Sequence, residues 1–240
     1  MSRNLKMFFV LLTLCLMVTT IFAEKFKKYK NKSGMIEYKM SGNSEGKSVT
    51  YWDDYGYKEV MISQTKTKVW GMTNEENKTV LTIGAEVYEW KADDDKIFKS
   101  ENPIAEIWEE KNYDEKDVEE FGKESMESLG FQKTGEENIN GKNCEVWEGM
   151  GKIWIWKKNG IAIKNDVKIM GINVISEATD IQLDIKVKDE LFELPEGRTI
   201  VTEENAREVM GEDEDEEMSP AEIEEAKKAT KEMLKGLFGN

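Results

Sequence analysis

The sequence predicts an α+β fold dominated by antiparallel strands, and three observations carry that prediction. Short segments rich in β-branched and aromatic residues recur from residue 34 to residue 91, separated by Gly, Asn and Asp turn signals. The apolar period then lengthens to that of a helix over about residues 101–130. Strand patterning resumes afterwards, with Asn140-Gly141 and Asn159-Gly160 as tight-turn dipeptides.

In chain order, strands are expected at 35–40, 48–52, 57–63, 67–72, 79–83 and 87–91. Alternation sets Tyr57, Glu59 and Met61 against Lys58, Val60 and Ile62, and it gathers Thr79, Leu81 and Ile83 on one face. One face of this meander is therefore expected to be wet. Helices are expected at 103–110, where Ile104, Ile107 and Trp108 follow the cap candidates Ser100 and Asn102, and at 114–129. The second carries Val118, Phe121, Met126 and Leu129 on one side and ends at Gly130, a C-cap residue. Strands at 131–135, 143–148, 152–157, 161–164 and 173–185 follow, and 187–197 closes the domain with a Leu194-Pro195-Glu196-Gly197 turn.

The two ends of the chain read differently. Arg3 and Lys6 precede the apolar run from Met7 to Met17, and small or polar residues lead to Ala23, which is the pattern of a secretory signal peptide over residues 1–23. The run is broken by threonines and falls short of the ~20 residues that a spanning helix needs. Export to a periplasm or another secretory space, with cleavage near Ala23, is the expectation, and 24–200 is the expected domain. Residues 201–219 read as a self-repelling acidic linker. Residues 220–238 read as an amphipathic helix opened by the capping box Ser219-Pro220-Ala221-Glu222, with Ile223, Ala226, Met233, Leu234 and Leu237 as its stripe. Its lysines would suit a peripheral membrane or protein contact.

Composition narrows the chemistry. Removing the signal takes away two positive charges and no negative ones, which moves the formal net charge from -15 to -17. A chain this acidic is repelled by nucleic acid. The complete absence of histidine excludes Ser-His-Asp and Cys-His catalysis and every His-ligated metal site. No Ser-x-x-Lys opens a helix, and no pair of acids stands out, so the chain reads as a non-enzyme with no cofactor. Cys144 remains alone after the signal is lost, and alternation with Val146 makes it a buried structural thiol. The acids at 213–217 and Glu224 mimic a calcium loop, but Met218 and Pro220 stand where such a loop needs glycine and flexibility, so no metal is expected.

What remains is aromatic. Trp52, Trp70, Tyr88, Trp90, Trp147, Trp154 and Trp156 all fall in strand-like segments and are the candidate ligand-lining residues. Trp154 and Trp156 share one face, opposite Ile153 and Ile155, so this strand is apolar on both sides. One side packs a core, and the other needs helices, a partner or an apolar ligand to cover it.

Three phrases carry a resemblance: Tyr51-Trp52-Asp53-Asp54-Tyr55-Gly56-Tyr57-Lys58-Glu59, Ile139-Asn140-Gly141-Lys142-Asn143-Cys144-Glu145-Val146-Trp147, and Leu191-Phe192-Glu193-Leu194-Pro195-Glu196-Gly197. Over residues 32–200 the chain resembles exported proteins of the lipoprotein-carrier (LolA/LolB-like) superfamily. That resemblance implies a strongly curved, unclosed antiparallel β-barrel with helices as a lid over a hydrophobic cavity for acyl chains, acting as a lipid or lipoprotein carrier. The well-studied carriers place an arginine near the cavity, whereas Arg198 and Arg207 here lie outside the expected strands, and the acidic tail is foreign to the pattern. The expectation is an exported monomer that shelters a lipid or other apolar molecule. The alternative is a structural or protein-interaction module with no ligand.

Overall fold

The computed structural model describes residues 27–69, 72–102, 105, 108, 118–169, 172–202 and 205. Trp70, the proposed signal peptide, most of the acidic linker and the helix expected at 220–238 lie outside the described residues, as does most of the helix expected at 103–110. Ala105 and Trp108 of that stretch are helical positions and are buried.

Twelve strands form one sheet. The first six are β1 Gly34–Gly42, β2 Ser44–Asp53, β3 Lys58–Val69, β4 Met72–Ile83, β5 Glu86–Lys91 and β6 Lys96–Glu101. After helix α1, Val118–Ser128, come β7 Gln132–Ile139, β8 Lys142–Glu148, β9 Gly151–Trp156, β10 Ile161–Ile169, β11 Ile172–Leu183 and β12 Thr199–Val201. The spatial order is β12-β6-β5-β4-β3-β2-β1-β11-β10-β9-β8-β7. Two meanders are therefore joined by the pairing of β1 with β11, and every neighbour is antiparallel except β12 with β6. The sheet is unclosed, with β7 and β12 at its edges. Residues of β1–β4, β10 and β11 all border one groove on one face, so the sheet curves around that face.

Local chemistry accounts for the turns. Asn140 and Gly141 both have positive φ, 50° and 77°, which is what a two-residue hairpin loop of matching twist demands. α1 ends as its sequence directs. Gly130 is left-handed at φ 77°, its N–H donates to the Glu127 carbonyl at 2.9 Å, and the Phe131 N–H donates to the Met126 carbonyl at 2.9 Å, the paired bonds of a Schellman cap.

Two expectations are corrected. The segment 67–72 is not a strand of its own: β3 and β4 are long strands paired from Lys58↔Ile83 to Val69↔Met72, and 67–72 spans the reversal between them. β6 was not expected, because Ile97 is the one buried side chain in a charged segment. Among the described residues the helical cover is a single complete helix, and none of the helices is long and apolar enough to cross a membrane.

The sheet has two cores. The first gathers Tyr29, Ile36, Trp52, Cys144, Val146 and Trp154 with Ile161, Ile163 and Ala178. The second gathers Val60, Leu81, Tyr88, Ile97 and Phe192. Trp52 pairs with Glu59, and its neighbour Tyr51 pairs with Val60, so the two cores lie on opposite faces of the sheet. Tyr29 caps the first, stacked on Trp52 with ring centroids 4.4 Å apart, and Gly34 lets that indole lie close, since a Cβ there would sit 2.3 Å from the ring. The segment after β11 seals the second with Val187, Leu191, Phe192 and Leu194. It is tied down by Arg198, which donates to the carbonyls of Lys91 at 2.7 Å and Ala92 at 3.2 Å.

Candidate functional site

Two concave spaces are available to a ligand, and their chemistry differs. The first is the groove of about 630 Å³ across β1–β4, β10 and β11. Register explains its lining: Tyr38, Ser48, Ser63 and Lys78 form one cross-strand row, and Met40, Gly46, Thr65 and Glu76 form the next. Hydroxyls and charges therefore alternate with apolar groups, among them Ile36, Met40, Met61, Ile161 and Val174. At the inner end, Glu59 accepts hydrogen bonds from the Tyr29 hydroxyl at 2.6 Å and from Lys28 Nζ at 2.8 Å, while the Tyr38 hydroxyl donates to the Ala162 carbonyl at 2.8 Å. Burial, reinforced by the Glu59 carboxylate, pushes the Tyr29 phenol well above its ordinary value, so it stays a donor. α1 does not border this groove, so the helix is not a lid over it.

The second space is a cleft of about 670 Å³ between α1 and the face of β8–β9 opposite the first core. Its apolar floor is Trp147 and Ile155, faced by Met126 of the helix, while Trp156 borders the cleft but packs against the first core on the other face. Gly122 lines it from α1, and a Cβ at that position would have nothing within 4 Å. A glycine inside a helix costs about 1 kcal/mol against alanine, and here the missing side chain leaves the space open. Phe121, the next residue, points elsewhere and packs edge-on against Trp108 at 4.9 Å. The rim is charged: Lys28, Lys30, Lys123, Lys133 and Lys157 surround the floor with Glu119, Glu120 and Glu145, and each lysine is ion-paired with a glutamate.

Two residues that line this cleft each carry a buried side-chain polar atom with no hydrogen-bond partner among the described residues. These atoms are the Trp147 indole Nε1 and the Asn159 side-chain oxygen, on residues 3% and 4% exposed. A buried donor left without an acceptor is costly. Around the rim, Lys30 hydrogen-bonds Glu119 at 3.0 Å and joins the N-terminal segment to α1, which holds the Glu119 carboxyl below its usual range. Lys157 does the same for Glu136 at 2.6 Å.

The six described aromatic candidates do not form one pocket, and Trp70 lies outside the described residues. Trp147 lies at the cleft, which Trp156 also borders although it packs against the first core. Trp52 and Trp154 lie in the first core, where Trp52 Nε1 donates to the Asn31 carbonyl at 3.1 Å and Trp154 Nε1 donates to Glu137 at 2.8 Å. Tyr88 and Trp90 belong to the second core. Gly122, Asn159 and the rim lysines escape a reading by residue type. Only the glycine inside an expected helix is a signal, since such a residue has a packing or functional reason. Cys144 is fully buried beside Val146, its thiol donates to the Lys142 carbonyl at 3.4 Å, and burial pushes it up. No group of three or more acids and cysteine that could hold a metal occurs among the described residues.

No protein-family model and no curated protein sequence matches the chain. Solved structures with some likeness of shape include an uncharacterized conserved protein from Thermus thermophilus, with TM-score 0.48 at 9% identity over 72% of this chain and 91% of that one. They also include the Pseudomonas aeruginosa MucA/MucB complex, with TM-score 0.37 at 12% identity, where the match covers 71% of this chain but 58% of the other. LprF from Mycobacterium bovis follows with TM-score 0.33 at 11% identity over 67% and 90%. At these values none carries an argument about function, which rests on the chain's own residues.

Proposed function

We propose that this chain is an exported, non-catalytic binding protein that shelters an apolar or amphipathic small molecule, such as an acyl chain, in the cleft between α1 and β8–β9. The observation that carries this reading is the pairing of an apolar floor of Trp147 and Ile155 with a helix that presents Gly122 instead of a side chain to the same space. A cleft of this size lies within the range of about 300–1,000 Å³ typical of small-molecule sites. Binding there draws on apolar area removed from water, at ~25 cal/mol per Å². The groove also carries apolar side chains, among them Ile36, Met40, Met61, Ile161 and Val174, but hydroxyls and charges interrupt them and α1 does not cover it. The N-terminal sequence pattern supports export, and the lack of histidine supports a role without proton-transfer chemistry.

Native mass spectrometry of the exported chain, purified gently from its own host, tests the reading. The expected result is extra mass that disappears on organic extraction and yields an apolar or amphipathic molecule. A bare protein mass, together with no uptake of a fluorescent fatty acid, would leave α1 as a plain cover for the sheet and the chain as an interaction module.

A further inference from the structure

We infer that the cleft selects single-chain amphiphiles that carry an oxyanion head, with the chain on Trp147 and Ile155 and the head among the rim lysines. The inference rests on the proposed apolar site and adds the class of head group.

Two features point to an oxyanion. Five lysines converge on the cleft in a chain whose net charge is -15, each ion-paired with a glutamate: Lys28 with Glu59, Lys30 with Glu119, Lys123 with Glu127, Lys133 with Glu145 and Lys157 with Glu136. The lysines come from separate parts of the chain: Lys28 and Lys30 precede β1, Lys123 lies on α1, Lys133 on β7 and Lys157 after β9. Glu59 and Glu145, which hold Lys28 and Lys133, are only 16% and 23% exposed, but Glu136, Glu127 and Glu119, which hold Lys157, Lys123 and Lys30, are 42%, 51% and 81% exposed. Exposed pairs of this kind are weak and screened, so a lysine can exchange a glutamate for a ligand oxygen at little cost.

The second feature is the Trp147 indole. Its Nε1 is a buried donor with no acceptor among the described residues, on a residue that forms the floor. An indole N–H only donates, so the group that satisfies it must accept. A carboxylate or phosphate oxygen does so, and the charge strengthens the bond. A hydrocarbon chain alone leaves the donor orphaned, and an alkylammonium head, which also only donates, does the same. The Asn159 side-chain oxygen, the other buried atom without a partner among the described residues, is an acceptor that calls for a donor and so does not itself favour an oxyanion.

The test compares dodecanoate, dodecanol and dodecylammonium below their aggregation concentrations, by calorimetry on the chain without its first 23 residues, with inorganic phosphate as a competitor. Dodecanoate is expected to bind about tenfold or more tighter than dodecanol, with dodecylammonium weakest, and the preference is expected to shrink as salt rises. Trp147→Phe, which keeps the ring and deletes the donor, and the double variant Lys133→Ala/Lys157→Ala should each narrow the gap between dodecanoate and dodecanol, with folding checked by near-ultraviolet circular dichroism. Equal binding of all three amphiphiles would overturn the head-group inference and leave the apolar site standing. No binding of any of them would overturn the apolar site itself. Phosphate that binds alone and displaces nothing apolar would also overturn the inference, because the lysines would then form an ion site independent of the floor.

Discussion

The two ends of the sheet bury opposite faces, and they finish the task differently. On the β3–β6 side, Val60, Leu81, Tyr88 and Ile97 face a segment of the chain's own C-terminal half, which lays Phe192 and Leu191 across them and closes the core. Their strands are amphipathic, and the face opposite them carries hydroxyls and charges along the groove. On the β8–β9 side both faces are apolar. Trp154, Val146 and Cys144 are sealed under Tyr29 and Trp52, whereas Trp147 and Ile155 look toward α1 across an open space. A strand with one apolar face needs one cover. A strand with two needs a second, and here that cover carries a glycine where a side chain would close the space. The difference separates two kinds of surface: the sealed cores hold the fold, and the face toward α1 is incompletely filled.

The contrast can be broken by mutation. Trp52→Ala, at a fully buried indole that also loses its bond to Asn31, should cost about 3–5 kcal/mol in chemical denaturation. Leu81→Ala in the other core should cost about 2–5 kcal/mol and leave ligand uptake unchanged when measured well below its unfolding transition. Ile155→Ala, half-buried at the cleft, should cost only about 1 kcal/mol while weakening uptake clearly. If Ile155→Ala proves as destabilising as Leu81→Ala, the cleft is a sealed core and the comparison fails.

The smallest effect is that of pH. Glu119, hydrogen-bonded to Lys30, and Glu137, which accepts the Trp154 indole N–H and Lys152, both titrate below the ordinary glutamate range. A carboxylate whose folded pKa is depressed contributes stability that is fully present above its unfolded value and is lost as pH falls through the folded one. The melting temperature should therefore be flat near neutrality and decline as pH drops below the ordinary glutamate value. Both groups are exposed, so the decline should be shallow, and Glu119→Gln should make it shallower still.

Much of this was legible in the sequence, and the exceptions have physical causes. Local signals succeeded: Asn140-Gly141 is a tight turn because both residues tolerate positive φ, and Gly130 caps α1 for the same reason. The strand with two apolar faces was also visible, because Ile153, Trp154, Ile155 and Trp156 leave it no polar side. The reversal between β3 and β4 was read as a strand, since Thr67, Lys68 and Val69 have strand propensity and continue β3 right up to it. β6 was missed because an edge-proximal strand with one buried residue has no alternating signal. Which aromatic rings lie together was not legible. Trp52 and Trp147 are alike by residue type, and only the pairing of β1 with β11, far apart in sequence, puts one in a core and the other beneath a helix. The lysine rim was hidden for the same reason, being assembled from separate stretches of chain.

The most direct measurement is ligand uptake by Gly122→Leu, scored alongside its melting temperature. Leucine there enters open space and replaces the poorest helix former short of proline, so the helix gains up to about 1 kcal/mol while the cleft fills. Loss of uptake in a variant that is as stable as the parent or more so is the predicted result. Undiminished uptake by a folded Gly122→Leu protein would show that the ligand lies elsewhere, and would contradict the account.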